Sequence, residues 1–218
     1  LPECCNQYAE MTIASMKTPV ALLTLVMYTA PACLGASCRA QGALPASYES
    51  PEAAVNALYG AKLLQKWEAR GDLNGDGRED WAAEISYQDG DVNSRRLMIL
   101  IKNEQGAYVV AALSKPEILP RTFIEAMEIG QSTLYVSESF PGDHPQASET
   151  KVRDYRGAWS VIGTTITTYY SDSDKVTTED TNLLTGARIT TYLKRENVVR
   201  TVRSKQPVES TDLCDNRI

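Results

Sequence analysis

Apolar residues change their spacing twice along this chain, and each change marks a different kind of element. Between Val20 and about Ala30 they run almost without interruption, behind the short positive stretch Met16-Lys17-Thr18-Pro19. From Ser50 to Leu64 they recur at helical spacing. Ser50 is placed as N-cap, Pro51 at the first helical position and Glu52 toward the positive end of the dipole. Ala54, Val55, Leu58, Leu63 and Leu64 then give one or two short amphipathic turns, which Gly60 interrupts.

Beyond Lys66 the pattern alternates and is broken by turn residues, which predicts strands. Trp81, Ala83, Ile85 and Tyr87 share one face of the first of these. The run 96–101 has the length of a buried strand and is joined through Asn103-Glu104-Gln105-Gly106 to 107–112, a hairpin. A short helical piece is expected over 121–128, then strands over 131–139, 151–155, 157–163, 164–170, 176–184, 187–193 and 198–202. Thr, Val, Ile and Tyr dominate the last of these and suit a pleated, half-buried surface. The expected fold is mainly β (α+β with minor helix), most simply one twisted antiparallel sheet system. Its divisions are a leader and signal peptide over 1–40, a linker over 41–49, a β-rich domain over 50–207 and a tail over 208–218.

The N-terminal apolar run has the layout of a secretory signal peptide, with small residues after Pro31. A membrane-spanning helix needs about 20 apolar residues, and Pro31 interrupts this run before that. Residues 1–15 lack periodicity and read as an extension upstream of the true start. Cleavage after Ala40 gives a soluble product. The alternative is lipidation at Cys38 in Leu34-Gly35-Ala36-Ser37-Cys38, which resembles a bacterial lipoprotein signal except that Gly35 stands where Leu is usual. Cys33 is a second candidate, behind Pro31-Ala32. Export to the periplasm or cell envelope is the expected localisation. Four of the five Cys lie at or before position 38, so only Cys214 follows the cut and no intramolecular disulfide can form.

Composition narrows the chemistry. With 28 Asp+Glu against 22 Lys+Arg and a net charge of -6, the chain as a whole lacks the basic footprint of a nucleic-acid binder. Its single His, His144, is the one residue through which a Ser-His-Asp arrangement would have to run. It sits in the Gly/Pro loop Phe140-Pro141-Gly142-Asp143-His144-Pro145 with no nucleophile motif, the setting of a solvent-exposed loop residue. Asp172, Asp174, Glu179 and Asp180 read as a solvated turn, or else as a second acidic site. Tyr169, Tyr170, Trp159 and Trp67 are candidates for a ligand platform or for core.

One motif carries specific chemistry. Asp72-Leu73-Asn74-Gly75-Asp76-Gly77-Arg78-Glu79-Asp80 matches D-x-[DN]-x-[DN]-G-x-x-D, the first part of a calcium loop. A hard cation takes several oxygen ligands, and alternate residues of a tight loop can turn Asp72, Asn74 and Asp76 inward together. Gly77 permits the sharp turn, the Arg78 carbonyl is the expected backbone ligand, and Asp80 closes the site directly or through water. Position 83 is Ala where an EF-hand has its bidentate Glu, and the flank after Trp81 alternates like a strand. A plain Asp/Asn/Gly turn without metal is the competing reading.

The segment from Gly71 to Ile85 resembles the calcium loops of FG-GAP (integrin-alpha-like, VCBS-type) repeats, in which a DxNxDGxxD turn precedes a strand. That resemblance implies Asp72, Asn74, Asp76 and Asp80 as Ca2+ ligands and a structural role for the ion. The loop occurs once, so a full propeller is not expected. Together with Trp159-Ser160-Val161-Ile162-Gly163, it also looks like a group of exported bacterial β-rich proteins. The expectation is a non-catalytic envelope module with a protein or glycan partner. The alternative is a hydrolase drawing its acids from Asp72, Asp80, Asp143 and the turn near Asp172.

Overall fold

The computed structural model describes residues 47–118, 123–171, 173–195 and 197–207. The signal-peptide, cleavage, lipidation and tail assignments, with Asp172, Cys38 and Cys214, lie outside the described residues.

The helix begins where the sequence places it. Helix α1, Pro51–Leu58, is capped by Ser50, whose hydroxyl accepts from the Ala53 amide at 3.1 Å. It stops at Tyr59 and passes into a single 3-10 turn, Gly60–Lys62, where Gly60 takes φ +49. Leu63 and Leu64 belong to a strand and not to the helical stripe expected of them, because the chain leaves the 3-10 turn extended and pairs at once.

Among the described residues twelve strands follow: β1 Leu63–Gly71, β2 Asp80–Asp89, β3 Val92–Lys102, β4 Tyr108–Leu113, β5 Glu117–Ile118, β6 Phe123–Gly130, β7 Thr133–Phe140, β8 Gln146–Tyr155, β9 Ala158–Tyr170, β10 Lys175–Asn182, β11 Ala187–Lys194 and β12 Asn197–Lys205. The protein is mainly β with minor helix, as expected, and the described residues form no propeller. The single sheet system is resolved into two antiparallel sheets. The first runs β1-β2-β3-β4 with β5 also on β3, and the second is a seven-stranded meander from β6 to β12.

The expected helix over 121–128 is overturned: Phe123–Gly130 is β6, paired along β7. A register shift between Ile124 and Ala126 explains the misreading. The extra residue places Ile124 and Met127 in the core three positions apart, a helical spacing produced by a bulge. The following turn, Gln131-Ser132, takes positive φ at both residues. The two strands expected over 157–163 and 164–170 are one, β9.

Hydrophobic burial arranges these elements in layers. Trp81, Ala83, Ile85 and Tyr87 do share a face of β2, and with Met98 and Leu100 of β3 they bury against Ala54, Val55 and Tyr59 of the helical segment. Tyr48 joins this cluster and exchanges backbone hydrogen bonds with Tyr108, so the core begins inside the expected linker. The opposite face of β2 and β3, with Ala82, Leu97 and Ile99, packs on Leu134, Val136, Val152, Trp159 and Val161 of the second sheet. Within this contact Arg95 reaches Glu84 at 3.3 Å on its own sheet and Glu138 at 2.7 Å on the other. All three are buried, so the two sheets are joined by charge as well as by apolar area.

The junction of β9 fixes how far this packing extends. Its register on β8 shifts between Lys151 and Val152, leaving Ile162 as an extra residue on β9. Gly163 follows it, and a Cβ there would lie 3.2 Å from the Thr181 carbonyl of β10. The half of β9 before Gly163 is in the core. The half after it leads into β10–β12, none of whose residues belongs to either buried apolar cluster.

Candidate metal loop

The loop between β1 and β2 is held at its rear and exposed at its tip. Leu73 is 1% exposed and inserts into the inter-sheet core. Gly71 touches β6 so closely that a Cβ would lie 2.7 Å from Cγ2 of Ile129. Asp80 is fully buried, and its two oxygens accept from the Leu73 amide at 2.8 Å and the Lys102 amide at 2.9 Å. It therefore ties the loop to β3. Burial pushes the Asp80 carboxyl above the ordinary carboxylate range, against those two amides, which pull it down.

The tip is organised by Asp72. One of its oxygens accepts from the Gly75 and Asp76 amides at 2.7 and 3.1 Å, and the other from the Gly77 amide at 2.8 Å. Gly75 and Gly77 both take φ +79, a conformation that suits glycine and lets successive amides turn toward one carboxylate. Asn74 and Asp76 face each other, with the Asn74 side-chain nitrogen 2.6 Å from Asp76 Oδ2. Arg78 adds its amide at 2.8 Å and an ion pair to Asp76, while its Nε donates to the Lys102 carbonyl at 3.0 Å. Partial desolvation opposes these contacts, yet they hold Asp76 below the ordinary range.

The predicted ligands thus divide. Asp72, Asn74, Asp76 and Arg78 share the tip, and Asp80 stands behind it with both oxygens engaged by backbone amides. Among the described residues no group of three or more His, Cys, Asp or Glu is arranged to hold a metal ion. The donor set at the tip is all oxygen, which matches a hard cation. In the geometry present, Asp76 is neutralised by the loop's own Arg78 and Asn74, so an incoming cation has to displace those two contacts.

The other candidate residues lie in the core or on the second sheet. His144 is exposed, as expected, and its ring meets Tyr170 at a centroid distance of 5.1 Å. Asp143 is exposed in the same loop, and its backbone carbonyl accepts from the Ser171 hydroxyl at 2.7 Å. Asp174 is ion-paired with Arg195 at 2.9 Å and Glu179 with Arg188 at 3.2 Å, while Asp180 accepts from the Thr165 hydroxyl at 3.3 Å. Trp159 is core and Trp67 packs partly buried against the same cluster, whereas Tyr169 is 47% exposed.

Two features escape sequence reasoning. Glu128 and Glu149 line a shallow depression of about 280 Å3 with Tyr135 on the outer face of the second sheet. Glu149 is there 3.4 Å from Lys151. The Arg95 contact to Glu84 and Glu138 is the other. Its members lie on three strands, so no local spacing could have revealed it. Among the described residues no helix is long and apolar enough to cross a membrane. No family profile, no curated protein and no solved structure matches the chain.

Proposed function

We propose that this chain is an exported, calcium-binding β-rich protein that serves as a non-catalytic binding or interaction module of the bacterial cell envelope. The carrying observation is the loop tip. Asp72 is already oriented by three consecutive amides, and Asn74, Asp76 and the Arg78 backbone stand beside it on an exposed turn whose rear is fixed by Leu73 and Asp80. A cation there ties β1 to β2 at the mouth of the core and relieves the repulsion between Asp72 and Asp76. Its role is structural. The signal-peptide layout of residues 16–40 supports the compartment, where calcium is available to a site of modest affinity.

A second reading has its own observation. The Arg78 ion pair and the Asn74–Asp76 hydrogen bond complete the loop internally, as a metal-free turn requires. The hydrolase reading has less in its favour, since of the three described acids of the acidic turn Asp174 and Glu179 are spent on Arg195 and Arg188 and Asp180 accepts from the Thr165 hydroxyl.

Thermal melting of the chain with calcium and with chelator separates the first two readings. Binding at a hundredfold excess over Kd stabilises by about 2.7 kcal/mol, which is roughly 5 to 10 °C for a domain of this size. Asp76→Ala should abolish that shift. Identical melting curves with calcium and chelator for the unaltered chain would leave the metal-free turn as the correct reading.

A further inference from the structure

The second sheet outgrows its partner, and its surplus has a chemistry of its own. Register carries the core-facing side of β7 outward: Val136 pairs with Thr150, Thr150 with Thr164, and the same face of β9 continues through Ile166 and Thr168 to Tyr170. Across the extension that face presents Tyr170, Lys175 and Lys194 in one row, and Thr168, Thr177, Tyr192 and Arg200 in the next. All of these but Thr168 line a cavity of about 610 Å3 at the β9–β10 end of the sheet. That volume is in the range of small-ligand sites.

Two observations show that this groove favours an anion. Lys175 and Lys194 are direct cross-strand partners on one face, an arrangement of like charges that destabilises a sheet unless something offsets it. Among the described residues neither makes an ion pair, and nor does Arg200, whose guanidinium lies 5.8 Å from the centre of the Tyr192 ring. Of the described acids nearby, Asp174 is paired with Arg195 and Glu179 with Arg188. The regional balance also runs against that of the chain. Residues 173–207 hold seven Lys and Arg against four Asp and Glu, in a protein of net charge -6.

We infer that this groove binds an anionic saccharide. The Tyr170 and Tyr192 rings offer flat apolar surfaces for sugar faces, the Thr177 hydroxyl can exchange hydrogen bonds with ring hydroxyls, and Lys175, Lys194 and Arg200 take the carboxylate or sulfate groups. A single pocket with three cations, on a chain that is acidic elsewhere, is not the long basic track that a nucleic-acid strand needs. A concave groove likewise suits a discrete chain better than a bilayer surface does. The inference rests on the binding-module reading and gives that module its ligand class.

The test is calorimetric titration of the full chain with a heparin-derived tetrasaccharide, an oligogalacturonate of the same length and neutral cellotetraose. Single-site binding of one or both acidic sugars, with none of the neutral one, is the expected result. Lys175→Gln combined with Lys194→Gln should weaken it by about tenfold or more, as loss of charge-assisted hydrogen bonds predicts. Tyr192→Ala should also weaken it, and melting curves of both variants report whether they remain folded. Arg203→Gln should leave it unchanged, because Arg203 pairs with Ile189 on the opposite face. Absence of saturable binding to either acidic sugar overturns the inference. So does equal loss in Arg203→Gln, or binding confined to phosphatidylglycerol vesicles or to oligodeoxythymidylate. None of these variants touches the Asp72–Asp80 loop, so calcium-dependent melting stands or falls separately.

Discussion

β2 and β12 are both antiparallel strands of similar length, yet every residue from Asp80 to Tyr87 is buried whereas in β12 only Val202 is even partly covered. β2 pairs along both of its sides and β12 along one, and they differ further in what lies above and below them. β2 is interior to its sheet and is covered by α1 on one side and the second sheet on the other. β12 is an edge, and none of its residues joins either apolar cluster. Pairing with a neighbour through a short turn is enough to form a strand, and topology decides whether it becomes core. The residues agree with their positions, since β12 carries Arg200, Arg203 and Lys205, which discourage edge-to-edge association with another chain.

The largest expected contrast is in side-chain truncation. Trp81→Ala, at a fully buried site, should cost about 3–5 kcal/mol by urea denaturation, and Val199→Ala, at 64% exposure, within about 0.5 kcal/mol. Comparable losses at the two sites would mean that β12 is covered in solution. Charge should divide the molecule in the same way. Arg95→Met strands Glu84 and Glu138 in the interior and should destabilise by about 3 kcal/mol or more, while Arg188→Met at its partly exposed pair with Glu179 should cost less than about 1 kcal/mol. The last effect concerns the border between the regions. Gly163→Ala pushes a methyl group toward the Thr181 carbonyl and should cost about 1–3 kcal/mol. Unchanged stability there would show that the β9 bulge tolerates a wider approach to β10.

Much of the fold was legible because it is local. The Ser50 cap, Gly60 and the turn at Asn103 all act within a few residues of themselves, and the turn at Asn182 is built in the same way. Asn103 Oδ1 accepts from the Gln105 and Ala107 amides at 3.1 and 2.9 Å, and Asn182 Oδ1 from the Leu184 and Thr185 amides at 3.0 Å each. The loop tip was legible for the same reason, since Asp72, Asn74, Asp76 and Gly77 make their contacts with one another. The role of Asp80 was not, because its second partner is the Lys102 amide, twenty-two residues away on another strand. The helix expected over 121–128 failed where a bulge produced helical spacing in a paired strand. The Trp159–Gly163 segment was visible as a motif, but its meaning as a bulged junction required β8 and β10 beside it.

The sequence by itself determined that the chain is β-rich, where its helix is capped, where most of its turns fall and which residues form the acidic tip. Each follows from propensity or from hydrogen bonds that a residue makes with near neighbours. Only the tertiary structure decided that there are two sheets, that Arg95 links them, and that the second continues past the first. It also brought Tyr170, Lys175, Tyr192, Lys194 and Arg200 together, from strands β9 to β12. Those outcomes depend on which strand faces meet, and a face is a property of register and bulges that no single segment encodes.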